Sequence, residues 1–143
     1  MNNWFSIKVK YTKQLENGTY KRVSEIYLIA ALSFTDAEAR IYEELGSIIK
    51  GEFNVLEIKR YDVNDLFIYD DSDTFYLVKI NFDSESLEGE KSKKTTQKFL
   101  VSADSVKEAH ERLKESLSTL MVDFKIPSVV LSPIVEIFPF IPE

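Results

Sequence analysis

The feature that most constrains the fold is an internal repeat. Residues Trp4–Tyr11 align with Phe75–Phe82 at an offset of 71, and the same offset relates Phe67 to Phe138 near the end of each copy. Over residues 31–45 the offset is 72 instead. One inserted residue before this stretch and one deleted residue after it explain the change. Repeats 4–68 and 75–138 are therefore expected to form two units with the same local structure.

Each copy begins with a predicted β-hairpin. Phe5, Ile7 and Val9 alternate with polar residues, which is the period of a half-buried strand. Asn17-Gly18 predicts a tight turn with a positive φ, and Gly89 takes the matching place in the second copy. A second strand follows over residues 23–30.

A helix is predicted after each hairpin. Ser33 can cap a helix over residues 33–48, with Asp36 returning the bond, and Ser105 with Glu108 repeats this start. Apolar residues recur on one face at three- and four-residue spacing. They are Phe34, Ala37, Ile41, Leu45 and Ile48 in the first copy and Val106, Ala109, Leu113, Leu117 and Leu120 in the second.

A third strand closes each copy, over residues 53–61 and 124–131. Each is followed by an acidic-apolar-aromatic triplet, and residues 69–74 form a short acidic linker between the copies. The predicted class is α+β: two tandem ββαβ repeats forming a mainly antiparallel sheet system of six main strands, with two amphipathic helices. Because one such unit buries little, we expect a single compact domain, 1–143, whose repeats share a core or extend one sheet.

The composition of the chain limits the kinds of site, compartment and partner that we expect. The chain has no cysteine, so disulfides, thiolate metal sites and a cysteine nucleophile are excluded. It opens without a signal-like segment and has no apolar run near the roughly 20 residues of a spanning helix. We therefore expect a cytoplasmic protein with no membrane partner. The net charge of −6 argues against non-specific binding to nucleic acid unless the positive charges are segregated.

Four stretches of the chain resemble an uncharacterised domain-of-unknown-function family of Bacteroidetes that is also found in their gut phages. They are Trp4-Phe5-x-x-Lys8-Val9-x-Tyr11, Leu32–Arg40, Gly51–Arg60 and Pro133–Pro139. The likeness spans the whole chain except its last residues, Phe140–Glu143. The resemblance implies no activity or site, and the sharing between hosts and phages suggests nucleic-acid metabolism.

No catalytic constellation can be written. His110 is the only histidine, and four glycines are too few for a phosphate-binding loop. The run 70–73 lacks the glycine and distal glutamate of a calcium loop, so a solvated linker is the better interpretation. Asp65 and Glu136 match between the copies, which favours strand ends beside a buried Phe over an acid-base pair. We expect a protein that is not an enzyme and has no cofactor and no metal.

The distribution of lysines points to one candidate function. If Phe5 faces the helix, Lys8 and Lys10 face away from it, and basic residues with aromatics on a sheet are typical of single-stranded DNA or RNA binding. Trp4 and Tyr27 are the candidate stacking residues. The candidate phosphate contacts are Lys8, Lys10, Lys21, Arg22, Lys91, Lys93 and Lys94. The alternative is that outward lysines protect sheet edges and the aromatics lie in the core.

The C-terminus is unusually apolar and supports a second hypothesis. Phe138, Phe140 and Ile141 could bind a protein partner or mediate self-association, alone or with exposed sheet edges. Docking of this tail on the protein's own core is the commoner outcome, because exposed apolar patches are rare on monomers.

Overall fold

The computed structural model describes residues 3–84, 93–120 and 123–140, which form eight strands and two helices. The strands are β1 (Asn3–Gln14), β2 (Tyr20–Ala31), β3 (Phe53–Arg60), β4 (Asp65–Phe67), β5 (Phe75–Ser84), β6 (Lys93–Ser102), β7 (Phe124–Leu131) and β8 (Ile134–Phe138). The helices are α1 (Phe34–Gly46) and α2 (Val106–Ser116). The α+β class is confirmed, with two more strands than the six predicted.

The chain divides into two compact units. Unit 1 comprises Met1–Asp62 and Pro133–Glu143, and unit 2 comprises Val63–Ser132. Each has its own four-stranded sheet, in the order β3-β1-β2-β8 or β7-β5-β6-β4. The expectation of one extended sheet is therefore wrong. The predicted linker 69–74 lies within unit 2 rather than between the units.

The fourth strand of each sheet comes from the other sequence repeat. β4 follows β3 in the chain but pairs in parallel with β6, and β8 follows β7 but pairs in parallel with β2. Residues 65–67 lie beside Phe99–Val101, and residues 136–138 lie beside Tyr27–Ile29. These registers are equivalent under the repeat alignment, so the exchange of strands is reciprocal.

The core of unit 1 lies between its sheet and α1. Phe5, Ile7 and Val9 are fully buried there, as predicted, and so are the helix residues Ala37, Ile41 and Leu45. Phe34 and Ile48, however, are 46% and 54% exposed. Phe34 opens the first turn of the helix, and the helix ends at Gly46, so Ile49 rather than Ile48 turns into the core.

The core of unit 2 has the same plan. Val78, Ile80 and Val101 of its sheet pack with Leu113 and Leu117. The predicted core residues Val106 and Leu120 are instead exposed, because Val106 is the first residue of α2 and Leu120 lies beyond the end of the helix at Ser116.

The predicted local signals are confirmed. Ser33 Oγ accepts from Asp36 N at 3.1 Å and the Asp36 carboxylate accepts from Leu32 N at 2.8 Å. Ser105 and Glu108 make the equivalent pair of bonds at the start of α2. Gly18 has a φ of +85°, as the hairpin turn requires, whereas Gly89 lies outside the described residues.

Candidate nucleic-acid interface

The β1–β2 hairpin of unit 1 carries a basic face opposite the helix. Lys8 lies opposite Ile26, Lys10 opposite Ser24 and Thr12 opposite Arg22. Because alternate residues of a strand share a face, Lys8, Lys10 and Arg22 lie on the side away from Phe5 and Ile7. Lys8 and Arg22 are exposed and Lys10 is half-buried. The outward orientation predicted for these lysines is confirmed.

The half of this face near the turn is the more accessible one. Trp4 is half-buried opposite Ala30, and Ala30 and the neighbouring Leu28 are fully buried on the same face. Trp4 is therefore a weaker candidate for stacking than its place on the face alone indicates.

Tyr27 does not belong to this face. It lies opposite Ile7, is 5% exposed, and its ring stacks on that of Phe138 with centroids 5.9 Å apart. A nucleobase cannot reach a ring held in this way, so the prediction of Tyr27 as a stacking residue is wrong. Tyr27 was expected on the wrong face of its strand. Counted forward from the Asn17-Gly18 turn, it lies opposite Ile7 and therefore faces the core.

Lys21 lies on the opposite face of the hairpin from Lys8, Lys10 and Arg22, because successive residues of a strand point to opposite faces. It lies directly opposite Lys13, on the side of the hairpin that carries the helix, and both lysines are exposed. Tyr20, an aromatic residue expected on the outward face together with Trp4, Tyr27 and Tyr61, is 70% exposed opposite Gln14, on the same face as Arg22.

The second hairpin is described only in part. Lys94 is exposed, on the same face of β6 as Lys98, which lies directly opposite the half-buried Lys79. Lys93 is the first residue of β6, and Lys91 and the side chain of Lys93 lie outside the described part of the chain. The prediction that these lysines bind nucleic acid stays a prediction.

A cleft of about 390 Å³ opens beside the turn-proximal part of the first hairpin, against residues 48–50 where the chain leaves α1. It is lined by Tyr11, Thr12, Lys13, Gln14, Tyr20, Tyr27, Ile48, Ile49 and Lys50. The lining combines three phenol rings with two lysines, and Lys21 lies across the strands from one of them. The size is within the range of small-molecule sites.

A carboxylate joins two of these phenols. The hydroxyls of Tyr11 and Tyr27 both donate to Oε1 of Glu25, at 3.1 Å for Tyr27. Burial, followed by the bond to Glu25 and its negative charge, raises the pKa of Tyr11 to about 12. Burial and the Glu25 charge raise the pKa of Tyr27 further. Both phenols therefore stay protonated and bound to the carboxylate over the physiological range.

Unit 2 lacks this cluster. Under the repeat alignment Tyr11 corresponds to Phe82, Glu25 to Gln97 and Tyr27 to Phe99. Phe82 and Phe99 pack in the core of unit 2, and Phe99 stacks on Phe67 with centroids 5.5 Å apart, as Tyr27 does on Phe138. The same framework is thus built without the hydroxyls and without the carboxylate.

The remaining predicted sites are structural or solvent-exposed. His110 is half-buried on α2, Asp65 is exposed at the start of β4, Glu136 is exposed in the middle of β8, and Asp71 forms an ion pair with Arg112. Within residues 3–84, 93–120 and 123–140, no three His, Asp or Glu side chains are grouped so that they could hold a metal ion.

The C-terminal tail docks on the protein itself. Phe138 is 8% exposed in the core of unit 1, so its prediction as a partner-binding residue is wrong. Phe140 is exposed, and Ile141 lies outside the described residues. β8 therefore supplies an edge strand and a core side chain, which is the self-docking alternative.

The described residues form an α+β protein of two four-stranded units, and the hairpin of unit 1 carries basic and aromatic side chains. The domain family DUF4494, a domain of unknown function, matches residues 3–140, and the chain belongs to this family. No curated protein and no solved structure matches the chain. Neither described helix has the length and apolar character needed to cross a membrane.

Proposed function

We propose that this protein is a non-catalytic binder of single-stranded nucleic acid, which it holds on the turn-proximal half of the β1–β2 hairpin. The observation that carries the proposal is the placement of Lys8, Lys10 and Arg22 on one face together with the exposed ring of Tyr20. Cations along a strand bind phosphates without reading sequence, and an exposed aromatic ring offers a surface on which a base can stack.

The local charge balance supports the same surface. Glu57 on β3 lies opposite Lys8, but its carboxylate is 3.1 Å from the ammonium of Lys59. Asn54, opposite Lys10, is uncharged. The face is therefore locally cationic although the chain carries a net charge of −6.

The proposal also covers where the protein occurs and how its two units arose. A protein shared by Bacteroidetes and their gut phages and acting in the cytoplasm would meet single-stranded intermediates of nucleic-acid metabolism. The two units arose by duplication of one ββαβ segment with its trailing strand, and the equivalent registers of β4 and β8 support this origin. A non-catalytic role is favoured by a sequence with a single histidine and no cysteine.

Fluorescence anisotropy with labelled single-stranded DNA and RNA across a salt series tests the proposal. The slope of log affinity against log salt is expected to be about −0.7 for each phosphate neutralised. The double variant K8E/K10E should weaken binding and flatten that slope, whereas K107E/K114E makes the same charge change on α2 and should alter both less. Absence of binding at micromolar protein in low salt would overturn the proposal.

A second candidate is a protein-interaction module. Val130 and Leu131 are adjacent, exposed apolar residues on β7, an edge strand of unit 2. Exposed edges of this kind pair readily with other chains. Light scattering after size exclusion tests this candidate: a concentration-dependent dimer that V130E abolishes would favour it over a nucleic-acid role.

A further inference from the structure

We propose that the outward face of the unit 2 sheet binds the phosphate group of a phosphate monoester at Lys79 and Lys98. These two residues lie on the central strands β5 and β6, on the face opposite the core residues Val78 and Ile80. The inference goes beyond the proposed function, because it concerns the other unit and a ligand that needs no base.

Lys79 and Lys98 form a directly opposed pair of like charges. Both side chains are half-buried, and no ion pair among the described residues involves either of them. Like charges directly opposite each other in a sheet repel and lower its stability. A dianion that contacts both ammonium groups would remove this repulsion. Lys94, the next lysine of the face, lies opposite Asp83 in register and is not part of the site.

The residues around the lysine pair are donors that carry no negative charge. Ser128 of β7 lies opposite Lys79, and Asn81 lies two positions further along β5. Thr96 Oγ1 donates to Asn81 Oδ1 at 2.9 Å, which leaves the amide NH₂ group of Asn81 to donate to a ligand. Lys125 is exposed opposite Asn81 and adds positive charge. A set of ammonium, amide and hydroxyl donors suits the oxygens of a phosphate group.

The equivalent place in unit 1 has a different charge pattern. There the central lysine, Lys8, lies between Glu57 of β3 and Ile26 of β2. Unit 2 has a serine in place of the glutamate and Lys98 in place of the isoleucine. The sheet framework therefore forms without a second lysine, and both differences make the face of unit 2 more favourable for an anion.

The charge of the site favours a monoester over the diesters of a nucleic-acid chain. A phosphate monoester carries nearly two negative charges at neutral pH, because its second pKa is about 6. Each phosphate of a nucleic-acid backbone carries a single charge. Two opposed ammonium groups match the first of these. The monoester can belong to a small molecule or to the 5′-phosphate end of a strand, and the experiment distinguishes the two sources.

Backbone amide shifts of the isotope-labelled full chain, titrated with inorganic phosphate at constant ionic strength, test the inference. We expect the largest shifts at residues 79–81, 96–98 and 128. The variant K98I copies the residue of unit 1, so it should fold. It should weaken phosphate binding about tenfold, the usual effect of losing one hydrogen bond to a charged group. K114A removes one positive charge from α2 and should leave the phosphate affinity unchanged.

A second variant and a second measurement guard against a general effect of charge. S128E removes no lysine but places a carboxylate beside Lys79, as Glu57 lies beside Lys8, and it should also weaken phosphate binding. Phosphate should raise the melting temperature of the wild type more than chloride of equal ionic strength does, and K98I should lose this difference. No localised shifts at tens of millimolar phosphate, or unchanged affinity in K98I and S128E, would overturn the inference.

Short oligonucleotides identify the source of the monoester and separate this site from the hairpin. Tighter binding of a 5′-phosphorylated strand than of inorganic phosphate would support a strand end, and equal affinities would support a small phosphate monoester. A strand with a 5′-hydroxyl end should leave the amides of the site nearly unchanged, and shifts there would contradict the selection of a monoester. Oligonucleotide binding on the hairpin without phosphate binding on unit 2 would refute this site alone. The reverse result would refute the proposed function alone.

Discussion

Units 1 and 2 share one framework but hold their incoming strands by different means. In both, a Phe from the exchanged strand stacks on the ring at the matching position of the neighbouring strand, Phe138 on Tyr27 and Phe67 on Phe99. In both, an arginine of the helix donates to a main-chain carbonyl at the end of the second hairpin strand: Arg40 to Ala30 and Arg112 to Ser102. The differences lie around this common plan.

Unit 2 adds side-chain anchors to a short strand. β4 has three residues, and Asn64 just before it exchanges two hydrogen bonds with the main chain of Lys98, at 2.8 and 2.9 Å. After the strand, Ser102 Oγ accepts from Tyr69 N at 2.6 Å. The guanidinium carbon of Arg112 lies 4.2 Å from the centroid of the Tyr69 ring, and its Nη2 lies 2.6 Å from Oδ2 of Asp71.

Unit 1 relies on a longer strand. β8 has five residues, and its anchor beyond the strand is a 3.1 Å bond from Arg40 to the carbonyl of Pro139. The positions equivalent to Asn64 and Ser102 are Val135 and Ala30, whose side chains cannot accept the same hydrogen bonds. One extra paired position and a well-buried Phe in unit 1 therefore take the place of a set of polar side-chain anchors in unit 2.

A second difference concerns function. Unit 1 has the Tyr11–Glu25–Tyr27 cluster, whereas unit 2 has Phe82, Gln97 and Phe99 at the equivalent positions. Each unit therefore serves as a control for the other. Features that both units contain belong to the shared framework, and the cluster is a feature that unit 1 adds to it.

The largest expected effect comes from truncating the stacked Phe residues. F138A should lower the free energy of unfolding by about 3–5 kcal/mol, the usual cost for a buried Phe. F67A should cost less, because Phe67 is half-buried and β4 keeps its polar anchors. Urea unfolding of both variants makes the measurement, and a larger loss for F67A would contradict this account of the anchors.

The second-largest expected effect is a loss of stability at high pH through Tyr11 of unit 1. The pKa of Tyr11 is about 12 in the folded protein against 10.0 ordinarily, so the unfolded chain loses its proton first. The resulting stability is complete below pH 10 and is lost as the pH rises towards 12. Stability of wild type and Y11F over this range gives the test: the difference between them should shrink with pH, and a constant difference would refute the linkage.

A smaller effect is expected from the anchor before β4. N64A removes the hydrogen bond that Asn64 Oδ1 accepts from Lys98 N and keeps the main-chain bond from Asn64 N to Lys98 O, so it should cost about 0.5–1.5 kcal/mol. The equivalent change V135A in unit 1 removes no such bond and should stay within about 0.5 kcal/mol of wild type. Equal losses in the two variants would show that the polar anchor adds nothing to strand exchange.

The smallest effect should come from Asp71. Its hydrogen bond to Arg112 holds the pKa of the carboxyl below its ordinary value, so its contribution is present above about pH 4 and disappears as the pH falls through the folded pKa. Because the carboxylate is largely exposed, the gain is small. Thermal unfolding of D71N should match wild type at low pH and lie slightly below it at neutral pH, and a gap that widens on acidification would contradict this.

Much of each unit was predictable because its signals are local. Alternation fixed the core face of β1, the Ser caps fixed the helix starts, and β7 was predicted with both of its ends, Phe124 and Leu131. The helix ends were placed too late, since Ile48 and Leu120 continue the apolar spacing after the helical hydrogen bonding has stopped.

The strand exchange could not be read from pattern alone. The triplet Asp65-Leu66-Phe67 would fit equally well beside β2 of its own repeat or beside β6, because the two strands occupy the same position in the two repeats. Only the path of the chain through residues 61–64 distinguishes the two, and that path has no local signature. The cleft was missed for a similar reason, since it combines a hairpin with residues 48–50, which alternation does not connect.

The central claim is that the hairpin of unit 1 is the binding surface of the chain. A chemical-shift map of the backbone amides, recorded on isotope-labelled protein titrated with a single-stranded oligonucleotide, tests it most directly. The account predicts the largest shifts at residues 8–13 and 20–22, with the amides of β5 and β7 nearly unchanged. Shifts confined to unit 2, or no shifts at saturating oligonucleotide, would contradict it.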